Sequence, residues 1–380
     1  MVTYNVTSTT YPTLIANEVS GFTHMRIDGG QPYTPQNNYL FSTTGLHTVA
    51  WDLPESILPA RAFKGDYSTK IPVVSCVIAD GVREIGDEAL YYCDSLTSVT
   101  LPGSLVIIGD ESFRFTSSLE SVSIPTSVTT INTSAFRDSG LRTVNIPSKV
   151  RYLSSTFMNN IYLHTVTFDD STEYLSMSSA FAYCQSLTAF TCNREVDISS
   201  NFTECTSLQY ANMPRNILLG GEDFLGCTAL TSVTLGDYVD GVGEYIVSGC
   251  TSLTALTLPG AYQYYITAIN GASALQRVQL GKSFDSYEQD INFIKDSSTE
   301  KFGEGCTALT RIDIVCSGDI TVEDIDIASS DISSDLPASG VVYYYYKSEL
   351  ETNINSKTIA DKLAAAIGRG WTSVSGGIYQ

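Results

Sequence analysis

The nine cysteines and three histidines are the side chains of this 380-residue chain best suited to chemistry. Thiolates act as nucleophiles and metal ligands, and histidine serves as a base or a zinc ligand. Zinc sites usually draw on closely spaced pairs such as Cys-x-x-Cys, and the sequence has none. Six cysteines recur at wide intervals instead. We therefore expect buried, reduced core thiols, with no metal site and no cofactor.

The histidines do not form a catalytic arrangement with other polar residues. His24, His47 and His164 are far apart in sequence, and the last two each directly follow a leucine that belongs to a repeat. No nucleophile elbow, glycine-rich phosphate loop or metalloprotease helix stands in the required context. We therefore expect no enzymatic activity and no catalytic residues.

Acidic side chains outnumber basic ones by 41 to 21, which gives a net charge of −20. Such a field repels nucleic acids and anionic lipid headgroups, so neither is an expected partner. Residues 281–336 hold 13 acidic and 4 basic side chains, hence −9 of the total. The carboxylates of 317–336 are possible calcium ligands. Because EF-hand spacing is absent, a solvated acidic edge is the favoured interpretation, and calcium binding stays open.

A repeat of about 22 residues positions these side chains. Its leucines are separated by 23, 22, 22, 24, 21, 22, 23, 22 and 34 residues: Leu96, Leu119, Leu141, Leu163, Leu187, Leu208, Leu230, Leu253, Leu275 and Leu309. Apolar residues follow three and five positions later, as at Val99 and Leu101. The six spaced cysteines stand three positions before a leucine: Cys93, Cys184, Cys205, Cys227, Cys250 and Cys306. Weaker copies around Leu46 and Ile71 bring the count to twelve.

Each unit combines two periodicities. The alternation after the leucine predicts a short strand with one buried face. The spacing of Ile85, Ala89, Cys93 and Leu96 predicts a short helical turn before it. One such unit cannot bury its own apolar face, whereas stacked units can. The sequence therefore predicts an α/β leucine-rich-repeat solenoid of about twelve units of 22–25 residues.

The stretch "IGDEALYYCDSLTSVTLPGSLVIIGDESF" resembles the BspA-type leucine-rich repeats of bacterial surface proteins. The similarity extends over about residues 46–316, although middle units such as "NREVDISSNFTEC" lack the Ile-Gly pair. The resemblance implies a binding or adhesion role at the cell surface or after secretion. It brings no shared catalytic residues. The N-terminus does not look like an export signal, and no apolar run is long enough to span a membrane.

The chain divides into three predicted regions. Residues 1–45 form a small β domain or N-terminal cap, 46–316 the solenoid with an insertion at 281–304, and 317–380 a C-terminal cap. Within the cap, "VVYYYY" at 341–346 predicts a strand. Ser356 is the expected N-cap of a helix that runs to about Ile367, with Gly368 as its stop and Trp371 on a final strand.

Binding residues are expected where the exposed strand positions change from small Ser and Thr to larger groups. Tyrosine and arginine are frequent interface anchors. The predicted surface comprises strand positions Tyr210, Asn212, Arg277, Gln279, Arg311 and Asp313, with Phe284, Tyr287 and Phe293 of the insertion. Solenoid insertions are often binding loops, but an inert packed excursion is the alternative.

Two functions remain open on the sequence alone. The first is a non-catalytic binding or adhesion module for a protein or glycan ligand. The second is a structural spacer or an assembly arm of a larger surface complex. The identity of the ligand and the oligomeric state are not encoded in any recognisable motif.

Overall fold

The structure, a computed structural model, describes residues 1–6, 13–16, 19–53, 56–68, 71–236, 238–239, 241–258, 260–261, 264–281, 293–294, 299–315, 332–346, 354–368 and 370–378. The chain forms two compact units, Met1–Leu187 and Thr188–Gln380. The described residues are mostly short strands joined by turns, with a single α-helix among them. The architecture is a leucine-rich-repeat β-solenoid of about nine turns.

The first unit contains fifteen of the described strands. They are β1 (Val2–Val6), β2 (Thr13–Leu14), β3 (His24–Ile27), β4 (Asn38–Tyr39), β5 (Gly45–Asp52), β6 (Ile57–Leu58), β7 (Val73–Val77), β8 (Glu84–Ile85), β9 (Ser98–Thr100), β10 (Ile107–Ile108), β11 (Thr130–Ile131), β12 (Thr143–Ile146), β13 (Tyr152–Ser154), β14 (Thr165–Phe168) and β15 (Leu175–Ser178). Strand β1 pairs antiparallel with β5 and β7, and β3 pairs antiparallel with β5. The remaining ladders are parallel, except that β2 pairs antiparallel with β4.

Parallel pairing in this unit joins residues one repeat apart. Strands β6, β8, β10 and β11 form one ladder, in which Ile85 lies beside Ile108. On the other ladder β7 pairs with β9, and β12 pairs with β14. In the repeat after Leu119 this ladder is reduced to a single bridge between Ser121 and Thr143. The apolar residues of successive repeats nevertheless stack into a continuous core.

The second unit contains the other described strands and the helix. They are β16 (Ala189–Thr191), β17 (Val196–Ser199), β18 (Tyr210–Met213), β19 (Asn216–Leu219), β20 (Ser232–Leu235), β21 (Tyr238–Val239), β22 (Ala255–Leu258), β23 (Gly260–Ala261), β24 (Tyr264–Tyr265), β25 (Arg277–Leu280), β26 (Phe293–Ile294), β27 (Arg311–Ile314), β28 (Val341–Tyr346), α1 (Ile354–Ile367) and β29 (Thr372–Ile378). A five-stranded parallel sheet runs in the order β22-β25-β27-β28-β29.

The predicted helical turns are not helices in the described repeats. In the repeat before Leu96, the amides of Ala89, Tyr91 and Cys93 bond three residues back, whereas those of the alternate residues bond to the next repeat. Glu88 and Tyr92 have φ values of 55° and 59°. A left-handed residue interrupts a right-handed helix, so the prediction of a helical turn in each unit, and with it the α/β class, is not confirmed.

The N-terminal repeat copy was also predicted incorrectly. Strand β5, which carries Leu46 and Trp51, pairs antiparallel with β1 and β3 and therefore is not a parallel repeat strand. Its alternation reflects a strand with one buried face, which antiparallel and parallel sheets share. The count of twelve units is accordingly not confirmed.

The repeat leucines and a column of phenylalanines form the core. All ten leucines predicted from the spacing are fully buried. In the first unit, Phe136 lies 4.9 Å from Phe113 and 5.6 Å from Phe157 between ring centroids. The ring of Phe157 lies 5.6 Å from that of Phe181. The interplanar angles are 4–5°, so these four rings form a parallel stack.

The cysteine column has a hydrogen-bonding role besides its packing role. Five column thiols donate to a backbone carbonyl of the preceding repeat at 3.1–3.2 Å: Cys93, Cys184, Cys227, Cys250 and Cys306. Where another residue stands in the column, Thr116 Oγ1 donates to Phe113 O at 2.7 Å, and Asn160 Nδ2 donates to Phe136 O at 2.8 Å. Where it donates, the column side chain therefore satisfies a buried carbonyl that would be costly to leave unpaired. Ala272, buried in the same column three before Leu275, has no donor, so small size is the more general requirement.

We expect these thiols to be unreactive in the folded chain. Burial raises the pKa of Cys250 and of Cys306 to about 12 and that of Cys76 to about 11, so little thiolate forms at pH 8. Cys316 lies outside the described residues, and a Cys316→Ser variant removes it. That variant should react negligibly with Ellman's reagent over minutes, and should titrate eight thiols once unfolded in urea. Rapid reaction of the folded variant would contradict the burial of this column.

The C-terminal region follows its prediction in part. Strand β28 has the predicted bounds, and the amide of Gly368, whose φ is 60°, bonds to Ala364 O after α1 ends. The helix begins at Ile354, so Ser356 lies inside it and is not its N-cap. Trp371 was predicted on the final strand, but it is buried just before β29, which begins at Thr372.

Candidate binding surface

Four predicted side chains meet on adjacent strands β25 and β27. The register places Arg277 beside Arg311 and Gln279 beside Asp313. The Asp313 carboxylate accepts a hydrogen bond from Arg277 Nε, and Arg311 Nε lies 3.0 and 3.2 Å from its two oxygens. Arg277 Nη2 also donates to Gln279 Oε1 at 3.3 Å. One carboxylate thus orients two guanidinium groups.

The burial of these four residues differs from the prediction that all are exposed. Asp313 is 0% and Gln279 is 4% exposed, whereas the side chains of Arg277 and Arg311 are 42% and 40% exposed. The long neighbouring side chains bond to Asp313 and cover it. A buried charge requires such compensation by partners. The buried Asp313 carboxylate therefore holds Arg277 and Arg311 in place, while part of each arginine side chain remains accessible to solvent.

Two tyrosines of β28 complete the cluster. Tyr345 Oη donates to Asp313 Oδ1 at 3.0 Å and accepts from Arg311 Nη2 at 2.9 Å. The Arg311 Cζ atom lies 4.4 Å from the centroid of the Tyr343 ring, a cation–π distance. Burial, together with the charge of Asp313, raises the pKa of Tyr345. We call the set Arg277, Gln279, Arg311, Asp313, Tyr343 and Tyr345 the Arg–Asp–Tyr surface.

Tyr343 and Tyr345 were not predicted from the sequence to belong to this surface. The segment "VVYYYY" was predicted to belong to a terminal cap, whereas β28 pairs with β27 as a further strand of the same parallel sheet. The sequence feature that could have indicated them is their spacing, because residues two apart on a strand, such as Tyr343 and Tyr345, share a face. That face continues the positions of Arg311 and Asp313.

The other predicted residues are not in this cluster. Tyr210, which is 50% exposed, and Asn212 lie on β18, which pairs with β16 and β20. Phe284 and Tyr287 lie outside the described residues. Phe293 begins β26, whose backbone pairs in parallel with β24 at Tyr264. That part of the predicted insertion therefore contributes a strand, and the structure describes no side chain there.

The insertion starts directly beside the Arg–Asp–Tyr surface. Gln279 Nε2 donates to Gly281 O at 2.9 Å. Gly281 has a φ of 82°, and a Cβ added there would lie 1.7 Å from Val315 O. Only glycine fits this close approach in the left-handed region. The chain therefore leaves β25 along a path fixed at the edge of the surface.

One buried acid was also missed. Asp223 is fully buried, and its Oδ2 has no hydrogen-bond partner within the described residues. Its Oδ1 lies 3.5 Å from the Asn201 amide nitrogen. Burial raises the pKa of Asp223 to about 7, although nearby backbone amides oppose this. The residue occupies the position before the column phenylalanine, where Ala180 and Asn201 stand in the two preceding repeats.

The described part of the chain contains neither a metal-binding cluster nor a membrane-spanning helix. There, no three His, Cys, Asp or Glu side chains lie close enough together to hold a metal ion. Asp324 and Asp326, two of the possible calcium ligands of segment 317–336, lie outside the described residues. No helix within the described residues combines the length and hydropathy needed to cross a membrane.

Repeated short strands, stacked leucines and a polar strand face define a leucine-rich-repeat solenoid protein. The model of the BspA-type leucine-rich repeat region matches residues 56–188 and 196–312 in six copies. The chain belongs to this family. Leucine-rich repeats are commonly protein-binding or adhesion modules and are generally non-enzymatic.

Several solved structures are similar to the chain at low identity. A leucine-rich repeat protein from Bacteroides ovatus is 17% identical, with a TM-score of 0.34 over 78% of this chain and 88% of that one. A leucine-rich cell surface protein from Faecalibacterium prausnitzii is 23% identical, with a TM-score of 0.36 over 71% and 85%. The pneumococcal vaccine antigen PcpA is 14% identical, with a TM-score of 0.36 over 87% and 85%. No curated protein matches the chain.

Proposed function

We propose that the chain is a non-catalytic binding or adhesion module that recognises a protein or glycan ligand through the Arg–Asp–Tyr surface and the adjoining insertion 281–304. The observation that supports this most directly is the fixation of Arg277 and Arg311 by the buried Asp313 carboxylate. Arginine and tyrosine dominate the binding energy of many interfaces. Side chains that are ordered before binding lose less entropy when a ligand arrives.

The proposal extends to location and organisation. Membership of the BspA-type family supports a place at the cell surface or outside the cell. Residues 1–45 would then act as the N-terminal cap together with β5, which pairs with its strands. The rest of 46–316 would be the ligand-presenting solenoid, and 317–380 the C-terminal cap. Because β28 of the last region supplies Tyr343 and Tyr345, this cap would also take part in recognition.

An array of glycans and extracellular proteins, probed with the intact chain, tests this function. The informative variant is Arg277→Ala, because Arg311 still pairs with Asp313 and the carboxylate is not left buried alone. Arg215→Ala is the matched control, since that side chain is 50% exposed in the same unit and makes one ion pair at 3.8 Å. A Phe284→Ser, Tyr287→Ser double variant tests the insertion.

We expect the Arg277→Ala chain to bind its array ligand at least tenfold more weakly, the Arg215→Ala chain to bind normally, and all circular-dichroism spectra to match. Binding that survives Arg277→Ala unchanged would remove the Arg–Asp–Tyr surface from the proposal. If the intact chain binds nothing, the structural spacer or assembly arm becomes the better explanation.

A further inference from the structure

The second ladder of the first unit is interrupted at one place. Strand β11 is the last strand of one sheet, and β13 is the first strand of another. The chain from residue 71 to 236 is described without a gap, and in it no strand pairing joins β11 to β13. By contrast, β10 and β11 one repeat earlier pair regularly. The two strands therefore lie side by side without ladder hydrogen bonds, although the amide of Ser134, just beyond β11, donates to Ser154 O of β13 at 3.0 Å. We call the surface depression along these two strands the β11–β13 cleft.

Two adjoining cavities of about 180 and 410 Å³ occupy this cleft and share Thr129, Thr130 and Tyr152. The larger volume lies within the range of roughly 300–1,000 Å³ typical of small-ligand sites. Tyr152 is 68% exposed, an unusual state for a large aromatic residue on a strand. The remaining groups include the Asn132 amide and the Lys149 ammonium group. The lining thus combines one open aromatic face with several polar hydrogen-bonding groups.

The charges of the cleft differ from those of the chain. Arg151 pairs with Glu173, and both side chains are about half exposed. Lys149 is exposed and makes no ion pair with any described residue. Lys149, Arg151 and Glu173 together carry +1 in a chain whose net charge is −20. A strongly anionic polymer would still be repelled by the whole molecule, whereas a neutral ligand or one with a single carboxylate would be accepted.

The width of the cleft excludes an added peptide strand. A strand inserted between β11 and β13 would separate them by two strand spacings, about 9.6 Å. The Cα atoms of the two strands instead approach within 8 Å. The occupant must therefore enter from above as a compact group. A pyranose ring meets these conditions, because it offers an apolar C–H face to an aromatic ring and a rim of hydroxyls to polar groups.

We propose that the β11–β13 cleft binds one pyranose ring of a glycan. The ring stacks on Tyr152, and its hydroxyls bond to Thr129, Thr130 and Asn132 at one side and to the Arg151–Glu173 pair at the other. A carboxylate on the sugar would face Lys149. This site lies in the first unit and does not depend on the Arg–Asp–Tyr surface, so either proposal can fail without the other.

Saturation-transfer NMR with simple methyl pyranosides tests this site. The probes are methyl β-glucoside and methyl β-galactoside as neutral sugars and methyl β-glucuronide as an acidic one. We expect at least one probe to receive saturation from the intact chain, and Tyr152→Ala to weaken its binding at least tenfold. Tyr162→Ala is the matched control, because that tyrosine is 51% exposed in the same unit and does not line the cleft.

The variants distinguish an acidic from a neutral sugar and test whether the cleft is the binding site. If Lys149→Gln loses binding of the glucuronide but keeps binding of the neutral sugars, Lys149 recognises the carboxylate and the site is assigned to acidic sugars. If the glucuronide binds equally to the intact chain and to Lys149→Gln, the site is assigned to neutral sugars. Arg277→Ala should leave every sugar signal unchanged. The proposal is overturned if no pyranoside binds the intact chain, or if Tyr152→Ala and Tyr162→Ala bind alike while their circular-dichroism spectra remain native.

Discussion

Replacing Phe157 by alanine is expected to lower the free energy of unfolding by about 3–5 kcal/mol. The ring is fully buried and stacks in parallel between Phe136 and Phe181, with centroids 5.6 Å away on each side. Neighbouring repeats cannot close the gap, because backbone hydrogen bonds fix their spacing: the amide of Phe136 donates to Thr156 O and that of Phe157 to Ala180 O. Urea unfolding followed by circular dichroism measures the change.

Two companion variants make the Phe157 result interpretable. Phe157→Leu keeps most of the volume and should cost clearly less than alanine. Tyr67→Ala removes an aromatic ring that is 86% exposed, and should change stability by less than about 0.5 kcal/mol. A loss below about 1 kcal/mol for Phe157→Ala would mean that the phenylalanine column is not a major part of the core.

Asp223→Asn is expected to stabilise the chain by about 4 kcal/mol at pH 8 and to have little effect near pH 4. The folded pKa of about 7 exceeds the ordinary value of 3.8, so the unfolded chain loses this proton first as the pH rises. The contribution of Asp223 to stability is therefore fully present below about pH 4 and is lost progressively up to about pH 7. Three units of pKa correspond to about 4 kcal/mol.

Urea unfolding of both chains at a series of pH values between 4 and 8 checks this prediction. Asparagine fits the position sterically, because Asn201 occupies it one repeat earlier. Asp80→Asn removes the same formal charge from an exposed site and controls for the net charge of the chain. A difference between Asp223→Asn and the unaltered chain that does not vary with pH would show that Asp223 is ionised in the folded protein.

Much of the core could be predicted from the sequence, because one leucine per repeat makes the period visible. The column of cysteines was correctly predicted to be buried, as were the strand positions at three and five after each leucine, with few exceptions such as the half-buried Val99. These properties depend on the spacing within one repeat. A pattern repeated ten times averages out the variation of single residues.

Other features depend on information that a periodic pattern does not carry. A residue in the left-handed region, such as Tyr92, looks like an ordinary helical residue in the sequence, so turns were predicted as helices. A long acidic segment separates Tyr343 and Tyr345 from β27 in the sequence, so the pairing of β28 with β27 could not be predicted from the repeat spacing. The cleft at Tyr152 arises from a missing strand pairing, although the repeat spacing there is regular.

The column thiols give this solenoid a built-in set of local probes. Cys93, Cys184, Cys227, Cys250 and Cys306 each bond to a carbonyl of the preceding repeat, and each lies in a different turn. A thiol of this kind becomes accessible only when its own turn separates from its neighbour, and such openings differ in free energy along a repeat protein. Pulse alkylation followed by peptide mass spectrometry would therefore report which turn opens first, without any engineered label.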